Sequence, residues 1–182
     1  MTDIYAAGVC PAPSGSEDVS PQPPQEVDRE QLIALVELLF FAYRDFTGEA
    51  DVILAEFGFG RAHHRVLHFV NRHPGLRVAD LLDILKITKQ SLSRVLKQLV
   101  DRGYVLQQAG PQDRRERLLC LTSKGRDLAS RLLELQNARI AAALAEAGDG
   151  SSSVSRRFLA GMIAGDERSR IEALIFGPGR RA

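Results

Sequence analysis

The feature that most constrains the fold of this chain is a change of hydrophobic period near residue 103. Before that point, apolar residues recur at the i, i+3, i+4, i+7 spacing of an amphipathic helix. These residues are Leu92, Val95, Leu96 and Leu99. Thr88 is a good N-cap and Gly103 a good C-terminal stop, so we expect one helix between them.

After Gly103 the pattern becomes that of short β-strands. Residues 104–106 and 118–121 are rich in apolar side chains, and residues 110–116 between them form a charged loop with a glycine and a proline. A short helix over residues 79–86 precedes the one after Thr88. The order helix, turn, helix, two-stranded ribbon predicts a winged helix-turn-helix. The fold class is therefore mainly α with a small β wing (α+β).

Long helices are predicted on both sides of this unit. On the C-terminal side we expect a break at residues 148–153, a helix over residues 154–164 and a last helix capped by Asp166. We expect one domain over residues 27–176, with a DNA-binding lobe at about 60–122 and dimerisation helices at about 28–57 and 123–176. The first helix is apolar nearly all round, at Leu32, Ile33, Leu35, Val36, Leu38, Leu39, Phe40, Phe41, Tyr43 and Phe46. A helix without a polar face is buried on several sides. In a chain of 182 residues a second copy is the natural source of that cover.

The ends of the chain differ in composition from this domain. Residues 1–26 combine five prolines with serine, glycine and acidic residues, so we expect a disordered tail, and residues 177–182 form a second tail. We expect no signal peptide and no membrane span, since the apolar stretch Leu32–Tyr43 is too short to cross a bilayer. Cys10 and Cys120 do not suggest a disulfide framework, which favours a reducing cytoplasm. We expect Cys120 on the inner side of its wing strand.

Charge is unevenly distributed along the chain. Residues 1–85 carry 6 basic and 13 acidic side chains, residues 86–126 carry 10 and 3, and residues 127–182 carry 8 and 7. The positive charge is thus concentrated in the predicted helix-turn-helix and wing, which indicates a polyanion-binding element. A solvated basic face is the alternative interpretation of the charge alone.

The predicted recognition helix and wing carry side chains suited to double-stranded DNA. On the helix these are Thr88, Lys89, Gln90, Ser91, Ser93, Arg94 and Lys97, and at the wing Asp113, Arg114, Arg115 and Arg117. Gln and Arg can make paired hydrogen bonds to adenine and guanine edges, and wing arginines suit the minor groove. We expect Asp113 to hold the guanidinium of Arg115 by a bidentate pair.

These motifs resemble those of the MarR family of bacterial regulators over about residues 28–176. The resemblance rests on Thr88-Lys-Gln-Ser-Leu-Ser-Arg-Val-Leu, then Asp113-x-Arg115, then Leu119-x-Leu121-Thr122-x-x-Gly125. The stretches 40–44 and 58–64 resemble a PetP-like branch of that family.

The family resemblance implies a homodimeric transcription regulator that binds palindromic sites and has no catalytic activity. It implies base contacts by Thr88, Gln90, Ser91 and Arg94, with Arg115 in the minor groove. Two positions depart from the family pattern. Arg77 replaces the usual Ser or Thr cap of the third helix, which predicts slight fraying, and Lys86 replaces a frequent glycine of the turn.

Four histidines lie within 11 residues, at His63, His64, His68 and His73. His64 and His68 have the i, i+4 spacing that can hold a transition metal, so a metal-responsive regulator is an alternative function. Half-buried structural imidazoles are the more common outcome, and we expect no metal and no cofactor. A small-molecule effector, such as an aromatic carboxylate, is expected to bind at Phe40, Tyr43, Arg44, His63 and His64.

Two further function classes compete with a regulator. A winged-helix module that binds protein instead of DNA would explain the fold, but not the combined charge of helix and wing. An enzyme is not expected, because the sequence has no catalytic triad order, no phosphate loop and no paired carboxylates in a cleft.

Overall fold

The computed structural model describes residues 28–111 and 113–177. The predicted tail at residues 1–26, nearly all of the predicted tail at 177–182, and Gln112 of the wing loop lie outside the described residues. The chain divides into two units, the first ending at Leu39 and the second beginning at Phe40. The described part of the first unit is the beginning of the first helix.

The second unit contains the rest of that helix, six further helices and a small sheet within the described residues. The elements are α1 (Arg29–Glu56), α2 (Arg61–Arg72), β1 (Leu76–Arg77), α3 (Val78–Leu85), α4 (Lys89–Asp101), β2 (Val105–Ala109), β3 (Arg117–Leu121), α5 (Ser123–Ala147), α6 (Ser151–Gly161) and α7 (Gly165–Phe176). The antiparallel sheet has the order β1-β3-β2. The predicted fold class, mainly α with a small β wing after a helix-turn-helix, is confirmed.

The hydrophobic core of the second unit joins the helix-turn-helix to its neighbours. All four residues of the predicted α4 stripe are buried, at Leu92, Val95, Leu96 and Leu99. They pack with buried residues of the other elements, including Leu54 of α1, Leu67 of α2, Leu81 of α3, Leu119 of β3 and Leu132 of α5. Burying one face of α4 in this way leaves its other face free for a partner.

The turn between α3 and α4 is made by a residue in the left-handed region. Lys86 has φ +49°, where glycine is the usual choice, and its N–H donates to the carbonyl oxygen of Leu82 at 3.0 Å. The ammonium of Lys86 lies 3.1 Å from the carboxylate of Asp83 and 2.8 Å from that of Glu167 in α7. These ion pairs help to stabilise Lys86 in a backbone conformation that is unfavourable for residues other than glycine.

The start of α5 is closely packed against the wing. The Thr122 hydroxyl accepts from the N–H of Gly125 at 3.0 Å and donates to the carbonyl oxygen of Gly103 at 2.7 Å. A Cβ atom on Gly125 would lie 2.1 Å from the carbonyl oxygen of Tyr104. Only glycine therefore fits at this position.

Four local expectations were wrong. The strand after Gly103 extends to Ala109, because its pairing with β3 continues to Arg117. The helix α6 begins at Ser151 rather than at residue 154. The last helix has Ala164 as its N-cap residue, and Asp166 lies in its first turn instead of capping it. Cys120 was expected on the inner side of its strand, but it alternates with buried Leu119 and Leu121 and is itself only half-buried.

Candidate nucleic-acid interface

The helix α4 presents a continuous polar face beside its buried stripe. Thr88 caps it, since its hydroxyl oxygen accepts from the N–H of Ser91 at 3.1 Å. The structure brings all the sequence-predicted α4 residues to this exposed face: Thr88, Lys89, Gln90, Ser91, Ser93, Arg94 and Lys97. One of the two lysines is tethered, because the ammonium of Lys97 lies 2.5 Å from the carboxylate of Asp101. Gln90 and Arg94 lie in the first two turns, where a recognition helix meets base edges.

The wing carries its arginines on an exposed loop and on the start of β3. Asp113, Arg114, Arg115 and Arg117 are all exposed. The loop is closed by two backbone bonds, from Gly110 N–H to the Glu116 carbonyl oxygen and from Glu116 N–H to the Asp113 carbonyl oxygen, each 3.1 Å. Three cationic side chains are therefore displayed from a turn of defined shape.

Asp113 supports Arg115 differently from the expected bidentate pair. Its carboxylate oxygen accepts from the backbone N–H of Arg115 at 2.8 Å, and the guanidinium is not its partner. The carboxylate lies two residues before the N–H it binds, which is the geometry of an Asx turn. Asp113 thus shapes the loop backbone, and the Arg115 side chain has no hydrogen-bond partner among residues 28–111 and 113–177.

An arginine outside the predicted set connects the wing to the helix-turn-helix. Arg77 binds Asp80 through Nε at 2.8 Å and through a terminal nitrogen at 2.7 Å, and it binds Glu116 at 3.1 Å. The hydrogen bond from Arg77 lowers the pKa of the Asp80 carboxyl below its usual range. As expected, the side chain of Arg77 makes no capping hydrogen bond to α3. Its ion pair with Asp80 stabilises the start of that helix instead. The contact with Glu116 joins residues 39 positions apart, so no local pattern could have revealed it.

A separate pocket lies among α1, α2 and α5 in the second unit. Its volume is about 310 Å³. Its lining consists of Tyr43, Phe46, Thr47, Arg61, His64, Arg65, His68, Phe69 and Gln136. Aromatic walls combined with several polar groups are typical of a small-molecule site.

Two of the five residues expected at an effector site, Tyr43 and His64, line this pocket, and the other three do not. Phe40 is exposed on α1. Arg44 is exposed on α1 too, where its guanidinium binds its neighbour Asp45 at 2.7 Å.

His63 has a structural role instead of lining the pocket. Its Nδ1 accepts from the N–H of Gly60 at 3.1 Å, its Nε2 lies 2.5 Å from the amide oxygen of Gln98, and its ring stacks on Phe59 at 4.7 Å between centroids. Successive side chains of a helix point about 100° apart, which directs His63 away from the pocket that His64 lines.

Seven lining residues were not among the predicted site residues: Phe46, Thr47, Arg61, Arg65, His68, Phe69 and Gln136. Arg61, Arg65 and His68 share the α2 face with His64 at helical spacing, so the periodicity of α2 could have indicated them. Gln136 comes from α5, 72 positions after His64, and no sequence signal pointed to it. Burial lowers the pKa of both His64 and His68 below its usual value, so both imidazoles are held neutral near pH 7.

Within residues 28–111 and 113–177, no group of three or more His, Cys, Asp or Glu side chains could hold a metal ion. In the same part of the chain, no helix has the length and apolar character needed to cross a membrane.

Comparison with known proteins identifies the family. A model of the MarR family matches residues 57–116, which include the helix-turn-helix and the wing loop. The HTH-type transcriptional regulator PetP of Rhodobacter capsulatus is 48% identical over 134 residues, which are 74% of this chain and 81% of that protein. The chain belongs to the MarR family. It is therefore a transcription regulator from a family of regulators rather than of enzymes.

Solved structures of MarR-family proteins share the fold. FabT of Streptococcus pneumoniae, determined in complex with DNA, has a TM-score of 0.64 at 18% identity and covers 79% of this chain and 99% of its own. A MarR protein of Peptoclostridium difficile has a TM-score of 0.62 at 20% identity, covering 83% and 95%. A MarR-family protein of Mycobacterium tuberculosis in complex with p-aminosalicylic acid has a TM-score of 0.50 at 27% identity, covering 69% and 95%.

Proposed function

We propose that this MarR-family regulator binds palindromic double-stranded DNA as a homodimer, with α4 of each protomer in the major groove. The observation that carries the proposal is the exposed polar face of α4, which has a buried apolar stripe behind it and the basic wing in the same lobe. Gln90 and Arg94 have the side-chain chemistry to select adenine and guanine. As a chromosomal regulator of a bacterial family, it acts in the cytoplasm.

The wing is proposed to grip the flanking DNA by charge and groove shape. Arg115 enters the minor groove, while Arg114 and Arg117 contact phosphates. A narrow A·T-rich minor groove concentrates negative potential and attracts a guanidinium, although it carries little sequence information. That FabT, a protein of the same fold, was determined in complex with DNA supports DNA as the partner.

The first and last helices are proposed to form the dimer. Large apolar side chains of α1 are exposed in the single chain, with Leu38 at 62%, Phe40 at 68% and Phe41 at 55% of full exposure. Phe158 of α6 and Phe176 of α7 are likewise at 50% and 60%. A monomeric protein rarely exposes so much apolar surface, and a second copy of the chain would cover it.

The DNA proposal is tested by selecting bound fragments from a genomic library and measuring affinity on the selected site and on random DNA. Gln90→Ala and Arg94→Ala should each lose about 1–3 kcal/mol on the selected site and much less on random DNA. Lys97→Ala is the matched control, since a phosphate contact should weaken both DNAs equally. Equal losses on both DNAs for all three variants would contradict the assignment of base contacts. No selected fragment at all would favour a protein-binding module.

The proposed homodimer and the proposed palindromic DNA site are each tested separately. Light scattering should give twice the chain mass of 20.0 kDa at micromolar concentration. Phe41→Asp should shift the protein to monomer, whereas Leu106→Asp, an equivalent change on the exposed side of the wing, should not. Inserting about 5 base pairs between the half-sites should abolish tight binding, since this rotates one half-site to the opposite side of the duplex. A monomer mass for the unaltered protein would overturn the dimer.

A small effector that modulates DNA binding is proposed to occupy the pocket among α1, α2 and α5. Phe46 and Phe69 offer apolar walls for a planar body, and Arg61 and Arg65 offer positive charge for a carboxylate. The relative from Mycobacterium tuberculosis binds p-aminosalicylic acid, a molecule of this class. Addition of such an acid should lower the affinity of the protein for its selected site.

A further inference from the structure

The pocket contains a buried polar side chain whose bonding capacity is unused. Gln136 of α5 is only 9% exposed, and its amide has no hydrogen-bond partner among the described residues. Its amide atoms are not among the fully buried polar atoms without a partner, so they still contact water, and a ligand that displaces this water has to replace the lost hydrogen bonds. Since this amide faces the open volume of the pocket, a ligand there would supply the missing partner.

Two imidazoles in the same pocket have no hydrogen bond either within the described part of the chain. His64 and His68 are one helical turn apart on α2, and both are half-buried. Each neutral ring offers one donor and one acceptor, and each becomes a double donor when protonated. The pocket therefore contains three polar side chains that make no hydrogen bond among the described residues.

Burial opposes the protonation of both imidazoles, and positively charged neighbours add to this effect at His68. Arg61 and Arg65 line the pocket from α2, and Arg72 at the end of this helix and His73 at its C-cap act on His68. From α1 come Tyr43 and the carboxylate of Asp51, which favours a charged His64 but is bound by Arg61 at 2.8 Å. From α5 comes Gln136, which is uncharged. Burial and positive neighbours together lower the pKa of His68, and burial dominates for His64.

An anionic ligand would reverse this balance. A carboxylate placed among these groups attracts the charged form of each imidazole, and the attraction is strong because the site is partly shielded from water. The ligand anion and one proton from solvent would then enter together, leaving the net charge of the pocket unchanged.

We propose that binding of an aromatic carboxylate in this pocket is coupled to uptake of a proton by the His64–His68 pair, with Gln136 as the specificity-determining donor to the ligand. The inference rests on the effector role proposed above. Its consequence is that the regulator binds its effector more tightly as the medium becomes more acidic, within the range where the free imidazoles are neutral.

The test is isothermal titration calorimetry of the full chain with p-aminosalicylate as the probe. Titrations in phosphate and in Tris buffer, which differ in ionisation enthalpy, give the number of protons taken up. Uptake should approach about one proton near neutral pH, and affinity should rise up to about tenfold for each unit of pH decrease. The uncharged amide of the same acid should show neither effect.

Variants assign the effect to residues. His64→Gln with His68→Gln should abolish proton uptake, whereas His73→Gln, a matched histidine change outside the pocket lining, should retain it. Gln136→Leu should lower the affinity for the probe by about tenfold at every pH and leave proton uptake unchanged. Circular dichroism of each variant checks that it is folded, and the two-buffer measurement on the unaltered protein decides the question even if a variant does not fold.

The outcomes separate this inference from the function it rests on. Binding of p-aminosalicylate without proton uptake, and with an affinity independent of pH, would overturn the coupling and keep the effector site. No saturable binding at millimolar probe would overturn both the coupling and the effector site. DNA binding measured without the probe tests the regulator separately, so neither result bears on it.

Discussion

Replacement of Asp113 is the sharpest test of how the wing is organised, because two physical effects of that change have opposite signs. Asp113→Ala removes the hydrogen bond that the carboxylate accepts from the N–H of Arg115 at 2.8 Å. It also removes a negative charge from a loop that is proposed to approach phosphates. The first effect should weaken DNA binding, and the second should strengthen it.

The magnitudes favour weaker binding. A hydrogen bond of this kind contributes about 1 kcal/mol net, which corresponds to about a fivefold change in affinity if the loop must adopt this shape on DNA. A unit charge about 10 Å from a phosphate in water interacts by about 0.4 kcal/mol, and physiological salt screens much of that. Loss of the turn should therefore outweigh loss of the repulsion.

The assay is fluorescence anisotropy on the selected palindrome across a series of salt concentrations. Asp113→Ala should bind about three- to fivefold more weakly than the unaltered protein. Asp113→Asn is the matched control, since its amide oxygen can accept the same hydrogen bond without the charge, and it should bind equally well or slightly more tightly. Arg115→Ala should make the plot of log affinity against log salt concentration less steep by about one unit, as for the loss of one phosphate contact.

One result would refute the reasoning about the wing. If Asp113→Ala bound DNA as tightly as Asp113→Asn, or more tightly than the unaltered protein, the carboxylate would be only a repulsive surface charge. The Asx turn would then have no part in presenting Arg115.

Two further predictions concern stability. Gly125→Ala should lower the free energy of unfolding by about 3 kcal/mol, because its Cβ would meet the carbonyl oxygen of Tyr104 at 2.1 Å, whereas Gly161→Ala, with open space around it in α6, should be neutral or slightly stabilising in the same urea titration. Stability should fall as pH drops below the ordinary imidazole pKa of 6.5, because the unfolded chain then takes up protons that the half-buried His64 and His68 resist. The fall should be at most about 1.4 kcal/mol per pH unit for each residue. Replacing both histidines by glutamine should flatten this dependence between about pH 7.5 and about pH 5.5, and an unchanged dependence would show that neither imidazole is held neutral by the fold.

The local order of elements could be predicted from the sequence because each element has a local cause. The stripe at Leu92, Val95, Leu96 and Leu99 can be satisfied only by a helix with one buried face, and Thr88 offers the cap for its first turn. The exposed side of α4 follows from the same periodicity. Helix boundaries were less accurate at α6 and α7, where several residues can serve as the start and packing chooses among them.

The chemistry of the sites depended on contacts between residues far apart in the chain. The sequence indicated that Asp113 supports Arg115, but whether it binds the backbone or the guanidinium depends on how the loop closes on Glu116. The link from Arg77 to Glu116 exists because β1 pairs with β3, which brings the two residues together across 39 positions.

The proposed effector pocket shows most clearly which features follow from the sequence and which depend on the tertiary structure. Helical periodicity determined that His64 and His68 share a face of α2. The sequence also showed that the preceding helix, α1, is rich in aromatic residues. Only the tertiary structure excluded His63, which binds Gly60 and Gln98, and brought in Gln136 from α5. The physical reason is that hydrophobic period and capping are properties of neighbouring residues. A pocket, in contrast, is the space left when distant helices pack, and that packing decides which polar groups line it.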